Sequence, residues 1–211
     1  MIHTETVERT VEYICAGDIF QANLTRRLSV NVHGDALAWA QHAITSSRAL
    51  FGAMVRLPGH DGALSRVVTS MSPELFVDLG TDGIITSRPI KGTADAQDAV
   101  ESLEASVKDA AELHMIVDLV RNDLGRVAVH GSVFVEPLLG VRDFRTLRHV
   151  ESGVRATLKP GADVLDALEA LLPGGSITGA PKIQATRVIA ELEQRPRGLY
   201  TGSLLAIDGA G

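Results

Sequence analysis

Apolar residues recur at Val7, Val11 and Ile14, spacings that place them on one side of a helix, and Ala16-Gly17-Asp18 is a turn signal that closes it. The period then shortens to two. Ala22, Leu24, Leu28, Val30 and Val32 predict an extended strand, and Asp35 is placed to cap a short helix through about Ser47. Three strand-like runs follow at 50–57, 65–70 and 74–79, separated by Pro58-Gly59-His60-Asp61-Gly62 and by Ser72-Pro73. A hairpin turn at Thr81-Asp82-Gly83 leads into Ile84-Ile85-Thr86, which runs into a loop from Pro89 to Thr93.

The longest helical pattern covers 98–124, with Leu103, Val107, Ala111, Met115 and Leu119 on one face and a terminator near Gly125. Strand-like runs at 132–135 and 144–158 precede a helix over 163–172. A glycine-rich loop from Pro173 to Lys182 then leads, at Pro181, into a helix ending near Gln194, and a final strand is expected over 200–207. Strands gathered in blocks, with helices between blocks, predict an α+β fold of mostly antiparallel sheets.

Composition narrows the function. In 211 residues, 45% are hydrophobic and 22% charged, which suits a packed globular chain. A formal charge of -6 offers no basic stripe for displacing counterions from phosphates, so nucleic acid is not expected as a partner. No apolar run approaches the length of a membrane span, and Met1-Ile2-His3-Thr4-Glu5 is not the start of a signal peptide; no membrane partner and a cytoplasmic location are expected. Cys15 cannot form an internal disulfide and is assigned no chemistry.

Candidate chemistry begins with Lys91 in Pro89-Ile90-Lys91-Gly92-Thr93. A nucleophilic lysine must be desolvated or set near positive charge, and the flanking proline and glycine allow a shaped backbone that approaches a ligand closely. An arbitrary loop lysine is more often solvated. In the 174–182 loop, Gly174 and Gly179 satisfy the first half of a phosphate-binding loop, but Ala180-Pro181 displaces Lys182 and removes the nucleotide reading. The loop could offer backbone N–H groups to an anion or be a plain tight connection. Glu112, in a helical row with Met115, Ile116 and Leu119, needs a partner: a salt-bridging cation or a hard metal such as Mg²⁺. Glu74, Asp118 and Asp123 are further carboxylates, and His149 sits in an alternating strand where a structural histidine is usual.

Together these segments resemble the chorismate-utilising family that includes anthranilate, aminodeoxychorismate, isochorismate and salicylate synthases. The resemblance rests on Tyr13 to Leu24, Ser72-Pro73-Glu74, Arg88 to Thr93, Met115 to Arg126, Pro173 to Lys182 and Arg197 to Gly202. It implies a four-layer α/β/β/α sandwich of two facing sheets, with residues 1–211 forming a chorismate-binding catalytic domain that lacks its C-terminal part. Lys91 is similar to the aminodeoxychorismate branch, where anthranilate synthases resemble Pro-Ile-Ala-Gly-Thr.

The implied chemistry is attack of Lys91 on chorismate at C2 with loss of the C4 hydroxyl, then entry of ammonia at C4 and departure of the lysine. By the same resemblance Glu74 is the acid/base, Glu112 a Mg²⁺ ligand, and Thr93, His149 and Tyr200 substrate-binding positions. The ammonia would come from a glutamine amidotransferase subunit. Leu113 stands where asparagine is usual, Val150 where leucine is common and Ala156 where glycine is common. The alternatives are an anthranilate synthase component I, and a non-catalytic truncated remnant that binds the glutaminase subunit. The short form would be impaired.

Overall fold

A computed structural model describes residues 3–47, 49–59, 66–95, 107–136, 140–143 and 147–208. The chain divides into two compact units: one is built from the N-terminal 26 residues and from Phe76 to Ser203, and the other from Arg27 to Leu75 with Leu204–Ala206.

In the first unit, α1 (His3–Cys15) is the expected helix with an unexpected buried side. Val7, Val11 and Ile14 are exposed, while Thr6 and Thr10 are buried. Thr10 can go inside because its hydroxyl donates to the Thr6 carbonyl at 2.8 Å, so no polar group is left unpaired. Tyr13 joins Ile19, Ala185, Val188 and Leu192 in a small apolar cluster between α1 and the helix α6 (Lys182–Glu193).

The strand expected through Val32 is reduced to β1 (Gln21–Ala22), and Leu28, Val30 and Val32 are exposed. The final strand expected over 200–207 is likewise absent. Alternating apolar residues favour an extended chain, but a strand forms only where a neighbour accepts its backbone hydrogen bonds. Past Ala22 the Asn23 N–H donates to the Thr178 carbonyl and the Thr25 N–H to the Glu193 carboxylate, both at 2.8 Å, but among the described residues no strand pairs with the rest of these two segments.

The second unit carries α2 (Ala36–Ser47), started by Asp35, whose carboxylate accepts from the Leu37 N–H at 2.8 Å. This helix packs on the antiparallel pair β2 (Phe51–Leu57) and β3 (Arg66–Ser72). Ala40 is buried there, and a Cβ at Gly52 would lie 2.9 Å from Ile44 Cγ2, so small residues set the helix close to the sheet.

The larger core belongs to the first unit. A four-stranded antiparallel sheet is ordered β4 (Leu75–Leu79), β5 (Ile84–Arg88), β10 (Val154–Thr157), β7 (Phe134–Val135). A three-stranded sheet is ordered β6 (Ile90–Asp95), β9 (Leu147–Glu151), β8 (Gly140–Asp143). The stretch expected as one strand over 144–158 is thus β9 and β10 with a break at Ser152-Gly153; its first residues, 144–146, lie outside the described residues.

The long helix α3 runs Val107–Val127, three residues past its expected end at Leu124; the part expected before 107 lies outside the described residues. Its buried stripe is Leu113, Ile116, Val117, Val120 and Leu124 instead of the Ala111–Met115–Leu119 face. Both stripes are apolar. The sheet takes the bulkier one, packing it against Ile85, Val150, Val154 and Ala156, each full burial of such a side chain being worth about 1.5–3 kcal/mol. Beside it lies α4 (Val164–Leu171), which buries Ala167, Ala170 and Leu171 and opens with an Asp163–Asp166 capping box.

Candidate active site

Lys91 is on a strand, not in the loop expected between Pro89 and Thr93. The ladder explains why the segment looks irregular in sequence. Lys91 pairs with Val150 and Thr93 with His149, so Gly92 is an extra residue bulged out of β6. Its φ is +75°, a conformation that glycine adopts without penalty, and a Cβ there would lie 3.4 Å from the Cβ of Asp109 in the first turn of α3. The glycine therefore does two things: it turns the strand and lets the bulge seat against the helix.

Lys91 is half-buried, and among the described residues its ammonium has neither an ion-pair nor a hydrogen-bond partner. Three of the expected residues, Lys91, Thr93 and His149, come together on this one ladder. Glu112 is on α3, which packs against β6; it is half-buried, with Lys108 at 3.9 Å. The weak helical ion pair with Lys108 is therefore present, and it leaves the Glu112 carboxylate partly exposed. A magnesium ion is often held by one or two carboxylates with water and substrate oxygens, and Glu112 fits as one such donor. Among the described residues no three His, Cys, Asp or Glu side chains form a metal-binding group.

Glu74 lies in the second unit, where its N–H donates to Ser72 Oγ at 3.3 Å and Ser72 Oγ donates back to the Glu74 carbonyl at 3.1 Å. The Ser-Pro-Glu sequence thus makes a local turn that fixes the glutamate backbone. Tyr200 is 63% exposed in a turn closed by its N–H on the Arg197 carbonyl, and nothing in its surroundings sets it in a pocket.

The glycine-rich segment is occupied by packing. It forms a short helical turn α5 (Gly175–Thr178), a two-residue strand β11 (Gly179–Ala180) paired with β1, and the start of α6. A Cβ at Gly175 would lie 2.3 Å from Leu119 Cδ2, and one at Gly179, where φ is +138°, would lie 2.1 Å from the Gln21 carbonyl oxygen. The glycines serve close chain approach, which leaves the plain tight connection as the reading the geometry supports.

Sequence reasoning missed what holds this connection. Lys182 Nζ donates to Asp123 Oδ2 at 2.6 Å and to the carbonyls of Leu171 at 3.0 Å and Ala170 at 3.3 Å. Burial pushes the Asp123 carboxyl above its ordinary value, with Lys182 pulling the other way. A second anchor is Arg197, which pairs with Glu193 and donates to the Ile177 carbonyl at 2.8 Å and the Asn23 carbonyl at 2.6 Å. A carboxylate two residues before a glycine terminator and a lysine after Ala-Pro were the only signals, and neither specifies a partner.

The chain matches the chorismate binding enzyme family over residues 3–211. It is 42% identical over 208 residues to aminodeoxychorismate synthase component 1 of Salmonella typhimurium, covering 95% of this chain and 44% of the relative. It is also 40% identical over 208 residues to anthranilate synthase component 1 of Streptomyces coelicolor, covering 95% of this chain and 40% of the relative. Among solved structures, the anthranilate synthase component I of Streptococcus pneumoniae superposes with a TM-score of 0.81 at 34% identity, covering 93% of this chain and 43% of that one. The α+β class with mostly antiparallel sheets is therefore that of the four-layer synthase fold. This chain belongs to the chorismate-binding enzymes, and it spans less than half the length of these relatives.

Proposed function

We propose that the chain carries the chorismate side of an aminodeoxychorismate synthase, converting chorismate and ammonia to 4-amino-4-deoxychorismate for para-aminobenzoate and folate synthesis. The observation that carries this reading is Lys91: a half-buried amine without a carboxylate partner among the described residues, at a glycine bulge, in a Pro-Ile-Lys-Gly-Thr motif. A carboxylate partner would hold the amine in its charged form; without one, desolvation by a bound substrate can free the nitrogen to act as a nucleophile.

The Lys91 amine adds at C2 as both ring double bonds shift and the C4 hydroxyl leaves as water, with Glu74 supplying the proton. Ammonia then adds at C4, both double bonds shift back, and the Lys91 amine departs from C2. Dividing one difficult displacement into two easier ones is the gain of covalent catalysis. Glu112 would hold Mg²⁺, whose charge would offset that of a substrate carboxylate. Thr93, His149 and Tyr200 would line the substrate, and ammonia would be delivered by a glutamine amidotransferase subunit. Among the described residues no helix is long and apolar enough to cross a membrane. The cytoplasm is the location proposed for this chemistry.

Mass-resolved product analysis of this chain with chorismate, Mg²⁺ and a high ammonium concentration, beside Lys91→Ala, tests the reading. The expected result is 4-amino-4-deoxychorismate from the parent chain and none from the variant. The relative and the solved structure named anthranilate synthase support a second reading, which would give an aromatic amine and free pyruvate instead. Glutaminase binding without any turnover would leave a non-catalytic member of the family.

A further inference from the structure

Lys91 lies just beyond a corner in the chain. Ser87 pairs with Val154 in the four-stranded sheet, Ile90 pairs with Glu151 in the three-stranded one, and equal lengths of chain, Arg88-Pro89 and Ser152-Gly153, lie between. The β5–β6 and β9–β10 strands are thus one antiparallel ladder, kinked where it passes between sheets, with its register unbroken. Pro89 and Ser152 are fully buried at the kink, and the Ser152 N–H donates to the Pro89 carbonyl at 3.2 Å.

An ion cluster spans this corner. Arg88 grips Glu136 through both terminal nitrogens, at 2.9 and 3.2 Å, and its Nη1 lies 3.5 Å from Glu151 Oε1. Arg155 Nε shares Glu136 Oε1 with Arg88, at 3.1 Å. Glu136 is itself tied to the second strand, its N–H donating to the Gly153 carbonyl at 2.8 Å, and a Cβ at Gly153 would lie 2.2 Å from its carboxylate. Four charges on β5, β9, β10 and the end of β7 therefore balance around the point from which β6 and β9 extend. A two-pronged guanidinium fixes an angle as well as a distance, which a lysine cannot.

We propose that Arg88, through Glu136 and Glu151, is a positioning residue for Lys91: it sets the angle at which the ladder carrying Lys91 leaves the four-stranded sheet. The proposal builds on the reading of Lys91 as nucleophile, but its first test does not use chorismate. Trace acylation of the folded chain with an N-hydroxysuccinimide ester, read by peptide mass spectrometry, compares Lys91 with the exposed Lys108. In Arg88→Met the Lys91 rate relative to Lys108 is expected to rise at least fivefold as the corner loosens. Arg88→Lys, keeping the charge and losing the fork, is expected to fall between parent and Arg88→Met. Glu136→Gln is the milder second variant should Arg88→Met not fold, and a twofold or larger rise is expected there.

A parent-like Lys91 rate in a folded Arg88→Met or Glu136→Gln chain would overturn the proposal. Where amination is measurable, Arg88→Met is expected to lower kcat at least tenfold with KM within about twofold; a loss confined to KM would place Arg88 in binding instead and overturn it as well. Absence of turnover in the parent chain would favour the non-catalytic reading of this form, and the acylation result would still decide the corner.

Discussion

Two lysines of this chain stand in proline- and glycine-containing segments, and they have opposite surroundings. Lys182 is 12% exposed and fully engaged, with Asp123 and two carbonyls around its ammonium. Lys91 is half-buried beside a bulged glycine and has no such partner among the described residues. The difference separates structure from chemistry. A lysine enclosed by acceptors holds chain segments together, whereas one placed in a shaped backbone without them has no such structural task, which is why the nucleophile role is proposed for Lys91.

Breaking the Lys182 side should have the largest effect. Asp123→Ala leaves an ammonium buried with only carbonyls and should destabilise the chain by about 3–5 kcal/mol in denaturant titration. Asp123→Leu combined with Lys182→Met should recover most of that, because a shape-matched apolar pair has no charge to bury. A loss near zero in Asp123→Ala would erase the contrast.

Next in size is Gly179→Ala, where both the positive φ and the Gln21 carbonyl oppose a side chain; a loss of about 1–3 kcal/mol is expected, read from the same titration. The Arg197–Glu193 pair sharpens the comparison by pH. Burial acts to raise the Glu193 carboxyl, but hydrogen bonds from Arg197 and Thr25 outweigh it and hold the group below its ordinary 4.5. Because the folded value is the lower one, this stabilisation is complete above about 4.5 and is lost as pH falls through the depressed folded value. The stability gap between the parent and Glu193→Gln, expected to be about 1–2 kcal/mol near neutrality, should therefore close on acidification. A gap that widens would reverse the assigned sign. Smallest of all is Lys91→Met, expected to shift stability by less than about 0.5 kcal/mol, since no ion pair is lost. A large loss there would show that Lys91 is structural, like Lys182.

Elements with strong local signals are legible in the order of residues. Asp163 and Asp166 cap α4 as a short-range pattern should, Asp35 starts α2, and Thr81-Asp82-Gly83 makes the turn into β5, with Asp82 accepting from the Ile84 N–H at 3.0 Å. Faces are harder to read. Val7, Val11 and Ile14 form as good an apolar stripe as α1 possesses, yet Thr6 and Thr10 are the residues that go inside, because the neighbouring helix offers room for small side chains whose hydroxyls are already satisfied. In α3 the choice between two apolar stripes rested on what the sheet presented, a property of residues up to about 40 positions away.

The sequence by itself determined the α+β class, the longer helices and most strands, the family, and the presence of a Lys-Gly pair with an unusual backbone, because these depend on spacing, capping and motif chemistry within a few residues. Only the tertiary structure decided that Lys91 sits on a strand opposite Val150, that the helix carrying Glu112 packs against that strand, and that Lys182 is consumed by Asp123. Whether an amine is free or engaged depends on which distant carboxylate the fold brings within hydrogen-bond reach, and that distance is not written in the local order of residues.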